Sequence, residues 1–208
     1  MKTPNKSTSS NLANVENAHH EYPRTFSIPR SEQRRNLNIG QVVKLVFLLD
    51  APGDDIPTAE RMWVEVKEAR GSQYIGILDN EPFHISNLKL GDAIEFGPEH
   101  VAALYRKPED PQIPHGKTVI VSHRILTEDV WPQRLVRQQP MDETESGWWI
   151  FSGEETEAEL SDNSKFSACR VDEIIQRFRI LDSVLDEPVN SAWAWNNETL
   201  EYQPCQPA

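Results

Sequence analysis

The sequence predicts an α+β chain of two small domains: an N-terminal β-rich domain and a C-terminal α+β domain with an antiparallel sheet and one or two helices. Three observations lead there. The 208 residues suit one or two domains. Short β-branched and aromatic runs between turn residues dominate, and only Val171–Phe178 shows a clear helical face. Three prolines within Lys107–Pro114 mark a break between the two halves. The expected boundaries are a disordered tail at 1–36, a β-rich domain at 37–108, a Pro-rich linker at 109–116 and an α+β domain at 117–205.

The tail expectation rests on a Ser/Asn/Lys-rich opening without apolar periodicity and on a solvated charge run, Arg30-Ser31-Glu32-Gln33-Arg34-Arg35. Phe26-Ser27-Ile28-Pro29 is the one stretch of it able to dock on the body. Adjacent His19 and His20 in such a tail read as polar residues rather than metal ligands.

Gln41–Asp50 (QVVKLVFLLD) is the first predicted strand, its apolar run suggesting burial on both faces. An acidic loop, 51–57, follows. Met62–Val66 and Gln73–Leu78 flank Arg70-Gly71-Ser72 as a hairpin, and Asp79-Asn80-Glu81-Pro82 is a turn. Ala93–Phe96 is a short strand, and His100–Tyr105 reads as one helical turn.

Beyond the linker, Thr118–Ser122, Arg134–Arg137 and Gly147–Phe151 are β runs. In Val171–Phe178 (VDEIIQRF), Ile174, Ile175 and Phe178 share one helical face, and Asp172 and Glu173 favour the N-terminal end of the dipole. Leu181–Leu185 begins a second helical turn that Pro188 stops. Ser191–Trp195, the turn Asn196-Asn197 and Thr199–Tyr202 form a terminal hairpin.

Charge is unevenly placed. The net formal charge is −12, of which residues 140–208 contribute −11, with 4 basic against 15 acidic side chains. An acidic third of this kind repels phosphate backbones and anionic lipid, which argues against direct nucleic-acid or membrane binding, and it suits a basic protein partner. No apolar run approaches the roughly 18 residues that span a bilayer, and no signal-peptide pattern opens the chain. Cys169 and Cys205 are too few for a disulfide scaffold or a four-Cys zinc site. A cytosolic protein is expected.

Catalytic signatures are missing. Ser122-His123 sits in no nucleophile elbow, and neighbours on a strand point to opposite faces. Cys169 precedes the predicted helix but is flanked by Phe166 and Val171, as a small core residue would be. Glu154, Glu155, Glu157 and Glu159 run along one segment and do not converge as a cation site or acid pair requires. No phosphate loop, dinucleotide fingerprint or metal motif occurs, so no cofactor or metal is expected.

The most unusual stretch is Ser146-Gly147-Trp148-Trp149-Ile150-Phe151-Ser152-Gly153-Glu154-Glu155. On a strand, Trp148 and Ile150 face one way while Trp149 and Phe151 face the other. Large aromatics beside a carboxylate rim describe a protein-binding hot spot as well as a doubly covered strand. Trp193 and Trp195 pose the same choice. The candidate partner-binding residues are Trp148, Trp149, Glu154, Glu155, Glu157 and Glu159.

The order of segments in 118–203 resembles a bacterial immunity-protein domain of polymorphic toxin systems, immunity protein family 33. The matching pieces are V-I-V-S-H-R-I-L (119–126), S-G-W-W-I-F-S-G-E-E (146–155), V-D-E-I-I (171–175), D-E-P-V-N-S-A-W (186–193) and E-Y (201–202). That family usually has Asp before Ser-Gly-Trp, where this chain has Glu145. The earlier pieces M-W-V-E-V (62–66), Y-I-G-I-L-D-N-E-P (74–82) and L-K-L-G-D-A-I-E-F (88–96) resemble a small β domain of uncharacterised bacterial proteins. The resemblance implies a non-enzymatic antitoxin that binds and blocks a cognate toxin delivered by a neighbouring cell. A basic nuclease is the kind of toxin its charge would suit. The competing readings are a regulatory or scaffold module for another protein or small ligand, and a hydrolase using Ser122, His123 or Cys169.

Overall fold

The computed structural model describes residues 11–49 and 57–206. Residues 1–10 and all but Pro57 of the expected acidic loop lie outside that range. The chain divides into two compact units between Lys107 and Pro108.

The N-terminal unit is built on five antiparallel strands: β1 (Val42–Leu48), β2 (Ala59–Arg70), β3 (Gln73–Leu78), β4 (Ala93–Phe96) and β5 (Val101–Leu104), in the order β4-β3-β2-β1-β5. Alternation decides its faces. Val43, Leu45 and Phe47 of β1 are buried with Met62, Val64 and Val66 of β2, while Val42, Lys44 and Val46 on the other face are only half-buried. The expectation that β1 is buried on both faces is therefore corrected: the lysine in the opposite phase marks a face that meets solvent. The expected helical turn at His100–Tyr105 is also corrected. Only Pro98–His100 forms a 3-10 turn, and Val101–Leu104 continues as the edge strand β5 against β1, because sheet pairing overrides weak local preference.

Residues 11–36 are not a disordered tail. Leu12 bridges to Phe47, α1 spans Val15–Glu21 under an Asn14 cap, and α2 spans Ser31–Arg35. Leu12, Val15, Ile28 and Leu37 are buried. These four are too widely spaced for a periodic signal, and polar contacts hold the path between them. Buried Arg34 pairs with Glu16 and donates through Nε to the Pro29 carbonyl (2.8 Å) and through Nη1 to the Pro98 carbonyl (3.0 Å). His19, also buried, donates through Nδ1 to the Phe26 carbonyl at 2.7 Å. The supposed solvated run and the supposed loose histidine thus anchor this segment.

The C-terminal unit carries six strands: β6 (Thr118–Ser122), β7 (Arg134–Arg137), β8 (Glu145–Phe151), β9 (Phe166–Arg170), β10 (Ser191–Asn196) and β11 (Glu201–Pro204), in the order β11-β10-β7-β8-β6-β9. All pairs are antiparallel except β6–β8, which is parallel. Three short helices complete it: α3 (His123–Thr127), α4 (Glu157–Leu160) and α5 (Val171–Arg177). On the inner sheet face Val119, Val121, Leu135, Trp148, Ile150 and Tyr202 pack beneath Ile125, Ile174, Ile175, Phe178 and the 3-10 turn Arg179–Ser183. The helical face expected in VDEIIQRF is the one buried. The two polar hooks of this core are Trp148 Nε1, donating to Leu185 O (3.0 Å), and Tyr202 OH, donating to Pro132 O (2.7 Å). Part of the expected linker belongs to this unit. Ile113 packs against its core, and Asp172 in the first turn of α5 accepts from His115 Nδ1 (2.6 Å) and Gly116 N (2.9 Å). Those bonds hold the Asp172 carboxyl below its usual range.

Candidate partner-binding groove

The outer face of the C-terminal sheet is shaped by an irregularity in β8. Thr118 pairs with Glu145 and Ile120 with Trp149, so β6 advances two residues while β8 advances four. Gly147 sits in the bulge at φ +78°, where an added Cβ would lie 2.1 Å from the Gln138 carbonyl oxygen. Only glycine meets both demands. Ser146 fastens the bulge: its Oγ donates to Thr118 O (2.6 Å), and its carbonyl accepts from Arg137 Nε (3.1 Å).

Alternation along β8, regular from Trp148 to Phe151 against β7, divides the two tryptophans between faces. Trp148 is fully buried in the core. Its expected role as a partner contact is corrected on that ground, since no partner reaches it without unfolding the sheet. Trp149 stands on the outer face, half-buried, with its ring 5.5 Å from that of Phe166 and near-parallel to that of Phe151. Phe151 and Phe166 also meet edge-to-face at 5.7 Å. Beside this cluster lies a groove of about 370 Å³. Ile120, Trp149 and Phe166 line it with apolar surface, and Gln138, Met141 and Glu145 add polar groups and an exposed thioether.

The four glutamates separate into two kinds. Glu155 accepts at one oxygen from Ser152 N (2.7 Å) and Ser152 Oγ (2.8 Å), and at the other from Gly153 N (3.0 Å). Burial would raise its pKa, but hydrogen bonds from Ser122 and Ser152 outweigh that and hold the carboxyl below the usual 4.5. Glu159 closes a capping box with Thr156 at the start of α4 and takes a forked contact from Arg124, Nε at 3.1 Å and Nη2 at 3.2 Å. Both carboxylates brace the loop after β8 against the start of α3. Glu154 and Glu157 are exposed, so of the acidic run only these two present their charge freely to a partner.

The groups considered for catalysis do not converge. The Ser122 hydroxyl is buried and engaged by Glu155, whereas His123 Nε2 lies 2.8 Å from Ser167 Oγ. Cys169 lies on β9, where burial and nearby Glu173 push its thiol pKa up and disfavour the thiolate. Trp193 is a core residue, and Trp195 packs between Trp131 and Tyr202, both at 5.2 Å. Among the described residues no group of His, Cys, Asp or Glu is arranged to hold a metal ion, and no helix is long and apolar enough to cross a membrane. Sequence reasoning missed Ile120, Met141, Glu145 and Phe166. Its one available signal was the glycine inside a β run, which marks a bulge or a close backbone approach.

Each unit coincides with a family model. Residues 119–206 match the Immunity protein Imm33 domain, and residues 10–106 match a family described as an uncharacterized protein conserved in bacteria (DUF2314). No curated protein and no solved structure matches the chain. The span that matches the immunity-protein domain includes every residue of the groove's lining except Thr118.

Proposed function

We propose that this chain is an immunity protein that neutralises a cognate bacterial toxin by stoichiometric binding, through the outer face of its C-terminal sheet centred on Trp149. The observation that carries this reading is the aromatic groove at the β8 bulge, within the unit that matches the immunity domain. A core tryptophan has its neighbours; Trp149 keeps one side open to a groove, as an interface anchor does. Charge supports the same partner class. The −11 of residues 140–208 and the exposed Glu154 and Glu157 would speed encounter with a basic protein, by about 10–10³-fold at low salt. The residues once weighed for hydrolysis are engaged in structural contacts, which favours a binder over an enzyme.

The test is neutralisation of, and affinity for, a candidate toxin taken from the genes neighbouring that of this protein. Trp149→Ala should weaken binding by about thirtyfold or more, the usual loss at a hot spot. His123→Ala and Cys169→Ala should leave neutralisation intact. Full affinity in a folded Trp149→Ala protein would remove this face from the interface, and toxin survival with the wild-type chain in excess would end the immunity reading.

A further inference from the structure

Building on that docking face, we infer that the groove beside Trp149 is an anchor site for a single arginine side chain of the partner protein. Size sets the first limit. At about 370 Å³ the groove stands at the lower end of ligand pockets, which suits one long side chain. Charge sets the second. Glu145 is the only charged residue in its lining, and no lysine or arginine lines it. One Glu145 oxygen, Oε2, accepts from Met141 N at 2.9 Å, which fixes the carboxylate at the groove wall. The lysines adjoining the groove in sequence, Lys117 and Lys165, act on Asp142 and Asp162 respectively. An anion would meet an uncompensated carboxylate there, and a neutral apolar side chain would strip it of water without a partner.

Ring chemistry then selects among cations. Trp149 offers the best of the π faces, and Phe166 at 5.5 Å forms a second wall at a steep angle. A guanidinium stacks flat on an indole while its edge donates to a carboxylate; an ammonium is a hydrated point charge that gains less from a slot. Gln138, Gln139 and Asn163 around the rim add side-chain carbonyls for the remaining N–H donors. Arginine is also among the residues enriched at interface hot spots, and an acidic inhibitor meets it on a basic partner.

The experiment is an amide and indole NMR titration of the full chain with N-acetyl-arginine methylamide, alongside the lysine and norleucine analogues. With the arginine probe, the Trp149 indole and the amides near Glu145 and Phe166 should move together and saturate. The lysine probe should bind several-fold more weakly and norleucine more weakly still. Glu145→Gln, which keeps an acceptor for Met141 N, should weaken the arginine probe about tenfold, the effect of losing a charge-assisted hydrogen bond. Trp149→Leu should weaken it too while the spectrum elsewhere stays unchanged. Equal response to all three probes, or no localised response to arginine, overturns the inference. If arginine fails while Trp149→Ala still abolishes toxin binding, the docking face stands and the arginine anchor falls. If the probe binds in a Glu145-dependent way while toxin affinity ignores Trp149→Ala, the pocket chemistry stands and its assignment to the toxin falls.

Discussion

The outer faces of the two sheets solve the same problem differently. Each exposes a tryptophan from a central strand, Trp63 on β2 and Trp149 on β8. On the N-terminal sheet the chain closes its own tryptophan: Lys44 Nζ lies 4.2 Å from the Trp63 ring centre, and Tyr105 meets that ring edge-on at 5.8 Å. On the C-terminal sheet Trp149 has aromatic neighbours and a carboxylate beside its groove, with no cation over it among the described residues. A cation–π contact supplied from within leaves nothing for a partner to supply. The difference teaches that exposure of an aromatic says little; what matters is whether the fold has already satisfied it.

The largest effect that bears on this contrast lies on a single strand. Trp148→Ala should destabilise the protein by about 3–5 kcal/mol, because a fully buried indole leaves a cavity and an unpaired Leu185 carbonyl. Trp149→Ala should cost about 1 kcal/mol or less in the same denaturant titration while removing partner affinity. Comparable losses of stability would make Trp149 a core residue and break the contrast.

A smaller effect comes from giving the C-terminal face what the N-terminal face already has. Ala168 is exposed on β9, opposite Ile120 in the groove lining. Ala168→Lys should place a cation by Trp149 and Glu145, weaken toxin binding by about tenfold or more, and change stability by less than about 0.5 kcal/mol. Unchanged affinity, measured by calorimetry, would show that the groove's charge does not matter to the partner.

The smallest effect separates the two kinds of glutamate. Glu154→Gln with Glu157→Gln should leave stability unchanged and flatten the salt dependence of association. Glu155→Gln should instead lower stability by about 1 kcal/mol at neutral pH, since it weakens hydrogen bonds to a charged, half-buried carboxylate. The folded pKa of Glu155 lies below its unfolded value. Its contribution is therefore present above the usual 4.5 and is lost as pH falls through the lower folded value. The wild-type protein should lose that increment on acidification, and Glu155→Gln should show a shallower acid limb in thermal melts.

Much of the fold is legible in particular residues. VDEIIQRF announces α5 because three apolar side chains recur at helical spacing, and the Trp195–Tyr202 hairpin announces itself through Asn196-Asn197. The helix α3 and the strand β9 were not legible to the same degree: His123–Thr127 is one short helical turn directly after a strand, and Phe166–Arg170 carries a mixed pattern that only pairing with β6 turns into a strand. The segment 11–36 escaped for a similar reason. Its order depends on Arg34 reaching Glu16 and Pro98, contacts separated by 18 and 64 residues. Of the candidate site, Trp149 was legible and Trp148 was not separable from it; Glu145 and Phe166 reach the groove only through sheet pairing.

By itself the sequence determined the local periods: that Trp148 and Trp149 oppose each other, that Gln73–Leu78 alternates, that one face of α5 is apolar, and that the last third is acidic. Those follow from neighbouring residues and backbone geometry alone. The tertiary structure decided which tryptophan enters the core, which glutamates are spent on caps and which remain free, and which face keeps an open groove. These depend on what packs against each element from far along the chain, and a pattern of period two states that a strand has two faces without stating which one another part of the molecule will cover.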